Sequence, residues 1–130
     1  MLELAERDPR AAMEVLVRHY TSDEAFESLD QDRRERVLAN GANFFGNELE
    51  AFARYVPEIE RIRATGVPIR VLASRDSPEE VQIGCAWLGE RLGLRTEYVS
   101  GHHAPYVQHP EVFAEELRPL LRELSVPGLP

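Results

Sequence analysis

Two segments of the chain carry side chains suited to acid–base chemistry, and each segment follows a short run that is suited to a β-strand. Asp76 comes just after the run at residues 69–74, and His102 follows residues 95–100 across a single glycine. A carboxylate next to an imidazole can bond one ring nitrogen, fix the tautomer and stabilise the imidazolium that forms when the other nitrogen takes a proton. These residue types therefore indicate a general base held in place by an acid.

The elements around these two residues follow the order strand, helix, strand, helix from residue 66 onward. The apolar run at residues 69–74 is suited to a buried strand, and residues 95–100 are predicted to form a second strand. Ser77, Pro78 and two glutamates predict a helix start with a side-chain cap, and Gly93 predicts the end of that helix. A second helix is predicted from Pro110, with Pro119 inside it expected either to kink the helix or to end it early.

A strand–helix–strand unit of this length predicts two parallel strands. The carboxyl ends of adjacent parallel strands lie at the same edge of a sheet, and functional groups gather there. We therefore expect Asp76 and His102 to lie close together.

The first half of the chain is predicted to be a series of helices. Asp8 before a proline is a typical helix start, and Asp30 is expected to cap a later helix. Thr21, with a glutamate three residues on, is a candidate capping box. Asn40-Gly41 is predicted to interrupt the helical pattern.

The segment from residue 67 to 124 resembles the last two strands and helices of the α/β-hydrolase fold. Val-Pro-Ile-Arg-Val-Leu-Ala-Ser-Arg-Asp-Ser-Pro is similar to the strand that ends in the catalytic acid, and Val-Ser-Gly-His-His-Ala-Pro-Tyr is similar to the histidine loop. The resemblance implies that Asp76 is the triad acid and His102 the triad base, in the family order Ser, Asp, His.

The same resemblance implies a fold class and a domain organisation. The expected fold is a partial three-layer α/β-hydrolase-type architecture, in which a helical region precedes a parallel strand–helix–strand–helix unit. Residues 1–65 would form a helical region like the cap of this family, residues 66–125 the C-terminal part of the core, and residues 126–130 a tail.

One departure from the family pattern limits the expected activity. No Gly-x-Ser-x-Gly nucleophile motif is present in these residues. The chain would supply the acid and the histidine of a serine hydrolase acting on an ester, amide or related carbonyl, and it is expected to be inactive alone. The alternative is a non-catalytic remnant that self-associates, because loss of upstream strands would expose a strand edge.

Each site residue also has a simpler interpretation. Asp76 could cap the helix that follows it. His103 is the rival base, since adjacent side chains diverge and only one can face the acid. A metal site at His102, His103 and His109 is disfavoured, because no set of supporting ligands accompanies them. Cys85 lies in the middle of a predicted helix and is expected to be a core residue.

Five aromatic residues of the first half have two interpretations. They could line an apolar pocket roof for a small, rather hydrophobic substrate, or they could be the ordinary core of a helical layer. The residues are Phe26, Phe44, Phe45, Phe52 and Tyr55.

The amino-acid composition limits the expected binding partners and the expected cellular location. A net charge of −8 and a pI near 5.0 oppose binding to nucleic acid or to an anionic membrane. The phosphate-binding glycine motif of nucleotide-binding domains is absent, and no cofactor is expected. The expected partners are a small-molecule substrate, the missing N-terminal half or a second copy. One cysteine allows no internal disulfide, and the charged N-terminal residues lack the pattern of a signal peptide, so a cytoplasmic location is expected.

Overall fold

The computed structural model describes residues 1–124. The chain divides into two compact units, Met1–Val56 and the part from Pro57 onward. The tail expected at residues 126–130 lies outside the described residues.

The first unit contains helices only among its described elements. Six α-helices and one π-helical turn follow one another along the chain. They are α1 (Leu2–Arg7), α2 (Pro9–Tyr20), α3 (Asp23–Glu27), α4 (Gln31–Ala39), α5 (Gly41–Asn43), the π-helical turn (Phe44–Glu48) and α6 (Leu49–Arg54).

Side-chain caps explain where several of these helices begin. Asp8 accepts a hydrogen bond from Ala11 N at 2.9 Å, and Asp30 accepts one from Arg33 N at 2.8 Å, so both predicted caps are confirmed. The capping box predicted at Thr21 is wrong by one residue. Ser22 caps α3 instead, because the Thr21 hydroxyl donates back to Val17 O.

The core of the first unit lies under α2. Ala12 and Met13 of that helix are buried together with Phe26 and Leu38. Two guanidinium groups cover the Phe26 ring, with Arg18 at 4.3 Å from the ring centroid. Phe26 is thus a core residue, as the simpler of its two interpretations predicts.

The interruption predicted at Asn40-Gly41 is confirmed, since α4 ends at Ala39 and α5 begins at Gly41. Gly41 is buried within α5, and a β-carbon at this position would lie 2.2 Å from Pro9 O. The glycine therefore permits close approach of two chain segments.

The second unit contains the strand–helix–strand–helix order predicted for the C-terminal half, with two additional short helices, one before the first strand and one between the second strand and the last helix. The elements are α7 (Ile59–Ala64), β1 (Val71–Ser74), α8 (Glu79–Leu92), β2 (Thr96–Val99), α9 (Pro105–Gln108) and α10 (Pro110–Leu124). Strands β1 and β2 are parallel, with Val71 opposite Thr96 and Ser74 opposite Val99, which confirms the predicted parallel pairing.

The predicted fold class, a partial three-layer α/β architecture, is wrong. Helices account for 69% of the described residues, and the sheet that they contain has only two strands. Four-residue strands form too small a sheet to separate two helical layers, so the described chain is mostly helical.

One predicted helix start is wrong, and one of the two outcomes left open for Pro119 is excluded. Ser77 does not cap α8, since no side-chain hydrogen bond caps this helix and the Ser77 hydroxyl is buried without a partner among residues 1–124. Pro119 does not end α10, which continues to Leu124. The end of α8 is as predicted, with Gly93 in the left-handed conformation at φ 71°.

Among residues 1–124, no helix combines the length and the apolar character needed to cross a lipid bilayer.

Candidate functional site

The ends of β1 and β2 are joined by main-chain hydrogen bonds that continue beyond the strands. Arg75 N donates to Val99 O at 2.9 Å, and Asp76 N donates to Gly101 O at 3.0 Å. The residue that carries the candidate acid is therefore bonded to the residue just before His102. The expected proximity of the two segments is present at the level of the main chain.

The loop that carries Asp76 is held by a side chain of α8. The Gln82 amide donates to Ser77 O at 2.9 Å and to Arg75 O at 3.1 Å, so it bonds the residues on both sides of Asp76. Ser77 N closes the turn on Ser74 O at 3.2 Å. The main chain at Asp76 is thereby fixed, while its side chain is exposed.

The histidine loop is fixed in a similar way by the two C-terminal helices. His102 N donates to Gln108 Oε1 at 3.3 Å. Ser100 donates its N–H and its hydroxyl to the Glu116 carboxylate, at 2.7 and 2.6 Å. These two bonds hold the pKa of Glu116 below its ordinary value.

Gly101 is required by the conformation of this loop. Its φ of 93° lies in the region that favours glycine, and a β-carbon there would lie 3.2 Å from Pro105 Cβ. The Gly-His pair of the sequence therefore has a geometric reason: the glycine makes the turn that leads into His102.

The functional side chains themselves are not joined by a hydrogen bond. His102 is half-buried and Asp76 is exposed, and in the described part of the chain no bond links the carboxylate to the imidazole. Asp76 does not cap α8 either, since that helix has no side-chain cap. His103 is exposed. The choice between His102 and His103 as base stays a prediction.

Sequence reasoning missed three residues that support this region. Gln82 and Gln108 bond the main chain of the acid and histidine loops, and Glu116 bonds Ser100. The only sequence signal was their position on helices next to the two loops, which many solvent-facing polar residues share.

Ser77 is the serine nearest in sequence to Asp76, and it has no features of an activated nucleophile. Its side chain is 6% exposed, and no base contacts its hydroxyl among residues 1–124. Activation of a serine requires a base within hydrogen-bond reach. Ser77 is therefore not a candidate for the serine nucleophile of the predicted triad.

Two other sites weighed from the sequence gain no support as catalytic centres. Cys85 is half-buried in the middle of α8, and burial raises the pKa of its thiol, which keeps it protonated and unreactive. Within residues 1–124, no group of three or more histidine, cysteine or acidic side chains is arranged to hold a metal ion.

A cleft of about 690 Å³ lies beside β2 and α10, and neither Asp76 nor His102 lines it. Its lining includes three arginines, Arg70, Arg75 and Arg95, and two acids, Glu97 and Glu116. Arg70 forms ion pairs with Glu97 and Glu123, and the hydrogen bond to Glu97 is the main cause of the raised pKa of Arg70. The Arg75 guanidinium donates a hydrogen bond to Tyr98 O at 3.2 Å. The cleft therefore has little net positive charge with which to bind an anion.

Comparison of the chain with protein-family models and with curated proteins finds no match. The resemblance to α/β-hydrolases therefore depends on the Asp76 and Gly101-His102 segments. The main-chain geometry of those segments is the observation that bears on function.

Proposed function

We propose that Asp76 and His102 are the acid and the base of a serine hydrolase of the α/β-hydrolase family, and that the nucleophilic serine comes from polypeptide outside these residues. The observation that carries the proposal is the 3.0 Å hydrogen bond from Asp76 N to Gly101 O. This bond brings the two motif residues to one edge of the sheet, where the proposed chemistry requires them. The proposal is based on these two motifs and does not assume a layered α/β fold.

In the proposed reaction His102 takes the proton of the serine hydroxyl as the oxygen attacks an ester, amide or related carbonyl. His102 then returns the proton to the leaving group, and a water molecule activated by the same imidazole releases the acyl group. Asp76 accepts from the other ring nitrogen and stabilises the imidazolium. This chemistry uses no metal and no cofactor.

The hydrogen bonds that hold the acid loop and the histidine loop favour this assignment, because catalytic side chains have to be held in place before the reaction. Hydrogen bonds from Gln82 on one side and to Gln108 on the other fix the main chain of the two loops. The proposal requires the exposed Asp76 carboxylate and the half-buried His102 imidazole to meet by side-chain rotation when the serine-bearing segment is present.

The proposed partners and location follow from composition. A small-molecule substrate fits the proposed reaction, whereas the net charge of −8 opposes nucleic acid and anionic membranes. A single cysteine fits a reducing compartment, so we place the protein in the cytoplasm.

The test is hydrolysis of p-nitrophenyl butyrate by the whole polypeptide encoded by the reading frame that contains these residues. Asp76→Asn and His102→Ala are each expected to lower kcat/KM by on the order of 10³-fold or more. The matched controls His103→Ala and His109→Ala are expected to retain activity within about threefold. Loss of activity in His103→Ala with retention in His102→Ala would overturn the choice of base.

A second measurement tests the absence of a nucleophile from this chain. The 130-residue chain is expected to cleave p-nitrophenyl acetate no faster than its Asp76→Asn variant, since a lone imidazole needs no acid partner to react slowly with an activated ester. Substantial turnover that both Asp76→Asn and His102→Ala abolish would show a nucleophile within the chain and contradict the proposal.

A further inference from the structure

The acid loop and the histidine loop are each held by a glutamine, and the two glutamines have opposite hydrogen-bonding roles. On the acid side, the Gln82 amide nitrogen donates to Ser77 O at 2.9 Å and to Arg75 O at 3.1 Å. On the histidine side, the Gln108 amide oxygen accepts a hydrogen bond from His102 N at 3.3 Å. Gln82 is therefore a donor to its loop, and Gln108 is an acceptor from its loop.

The two partners of Gln82 fix the orientation of its amide. A main-chain carbonyl can only accept a hydrogen bond, and both partners are carbonyls. An inverted amide would place its oxygen against two other oxygens with no hydrogen between them. Arg75 and Ser77 are the neighbours of Asp76, whose own N–H donates to Gly101 O at 3.0 Å. The main chain is thus held at the acid residue and on both sides of it.

Gln108 is held close to the histidine loop by the packing of α9. A β-carbon at Gly101 would lie 3.2 Å from Pro105 Cβ, at the start of α9, and 3.9 Å from Gln108 Oε1, at its end. The amide oxygen therefore lies near Gly101 and also accepts from the N–H of His102. A main-chain N–H can be satisfied only by an acceptor, so this contact requires the oxygen of the amide.

We propose that Gln82 and Gln108 are positioning residues of the hydrolase, Gln82 through its donor and Gln108 through its acceptor. This inference rests on the proposed function of Asp76 and His102. Each glutamine acts through the main chain that carries the acid or the base, and neither touches the substrate. Because a displacement of about 1 Å at a reacting group can lower a rate by about 100-fold, loss of either contact is expected to lower kcat.

Three substitutions at each position separate hydrogen bonding from packing and from charge. Glutamate offers only acceptors, lysine offers only donors, and methionine has no charge and is at most a weak acceptor. Gln82→Lys keeps the donor that Gln82→Glu loses, whereas Gln108→Glu keeps the acceptor that Gln108→Lys loses. A role in packing alone would make the glutamate and lysine variants alike at each position, and a role of charge alone would leave the methionine variants unaffected.

The experiment is hydrolysis of p-nitrophenyl butyrate by the whole polypeptide encoded by the reading frame that contains these residues. Gln82→Met and Gln108→Met are each expected to lower kcat by about 10-fold to about 100-fold, with KM changed by less than about threefold. Gln82→Lys and Gln108→Glu are expected to have a kcat at least about fivefold above that of the methionine variants, unlike Gln82→Glu and Gln108→Lys. Gln31→Met, at an exposed position of α4, is the matched control and is expected to retain the kcat of the unaltered protein.

Hydrogen exchange of the 130-residue chain tests the histidine-side contact without any assay of activity. Protection of the His102 amide is expected to persist in Gln108→Glu and to fall in Gln108→Met. The Arg75 amide, which bonds Val99 O, reports whether each variant is folded. Unchanged protection of His102 in Gln108→Met would overturn the acceptor role.

The kinetic outcomes distinguish a failure of this inference from a failure of the proposed function. Activity that falls in Asp76→Asn and His102→Ala but persists in Gln82→Met and Gln108→Met would overturn the positioning roles alone. Activity that is insensitive to Asp76→Asn and His102→Ala would overturn both proposals. Equal kcat values for the lysine and glutamate variants at either position would contradict the opposite roles of the two amides.

Discussion

Ser100 gives both its main-chain N–H and its hydroxyl to a single carboxylate, that of Glu116, at 2.7 and 2.6 Å. One oxygen of the carboxylate accepts each bond, so the pair is charge-assisted and bidentate. It ties α10 to the residue that precedes Gly101 and His102. The position of the histidine loop therefore depends on the charge of one residue on a helix.

The Glu116 contact predicts a specific pH dependence of stability. The pKa of Glu116 is lowered from its ordinary value of 4.5, first of all by the hydrogen bonds from Ser100. A lowered pKa in the folded state means that the ionised Glu116 stabilises the fold above that value, and that this contribution is lost as the pH falls through the lowered pKa. Urea unfolding of Glu116→Gln is expected to show a weaker loss of stability than the unaltered chain between about pH 5 and about pH 3.

The neighbouring Glu115 provides the control for that experiment. It is exposed on the same helix, so Glu115→Gln is expected to leave the pH dependence unchanged. Equal pH profiles for Glu116→Gln and the unaltered chain would contradict a role for the Ser100 contact in stability.

Two glycines of α8 are expected to respond in opposite directions to alanine. A β-carbon at Gly89 would lie 2.7 Å from Thr96 Oγ1 and 3.0 Å from Leu94 O, so Gly89→Ala is expected to cost roughly 1–3 kcal/mol of unfolding free energy. Gly84 has nothing within 4 Å of that position. Gly84→Ala is expected to stabilise the chain by about 0.5–1 kcal/mol, because alanine is the better helix former. Urea titration of both variants tests the pair, and a Gly89→Ala variant as stable as Gly84→Ala would contradict the close packing of α8 on the β2 region.

Phenylalanine truncations test the core of the first unit. Phe26 is 2% exposed beneath Arg18 and Arg34, so Phe26→Ala is expected to destabilise by about 3–5 kcal/mol. Phe52 is 68% exposed, and Phe52→Ala is expected to change the unfolding free energy by no more than about 0.5 kcal/mol. Comparable losses for the two variants, measured by chemical denaturation, would show that the exposed aromatic residue is covered in solution.

The reactivity of Cys85 tests whether it is a structural residue. Burial raises the pKa of its thiol, so little thiolate is present near neutral pH. Labelling by a disulfide reagent at pH 7.5 is expected to be about 10-fold or more slower in the folded chain than in urea. Rapid labelling of the folded chain would restore Cys85 as a candidate nucleophile.

The local features of the fold could be predicted from the sequence, because they depend on neighbouring residues. Asp8 and Asp30 cap helices, Gly93 ends one, and the strand–helix–strand order gives parallel strands. The number of layers depends on what surrounds the sheet, which no local pattern encodes. The prediction of the fold class failed there. The close contact of Gly41 with Pro9 was not predicted either, because the two residues lie far apart in sequence.

The candidate site could be predicted only at the level of the main chain. Parallel pairing required the Asp76 and Gly101 segments to meet, and a hydrogen bond joins them. The supports from Gln82, Gln108 and Glu116 depend on the rotamers and orientation of helices, so the sequence did not distinguish them from other polar residues. The described residues show no hydrogen bond between the Asp76 carboxylate and the His102 imidazole.

The bond between Asp76 N and Gly101 O also affects how freely this region can vary. Main-chain atoms are common to every residue except the N–H of proline, so this link persists when the side chains around it change. The distance between the acid segment and the histidine segment therefore changes little when most nearby residues are substituted. Substitution of residues such as Arg75, His103 and Tyr106 can change what the surface recognises, while the main-chain hydrogen bond keeps the two segments aligned.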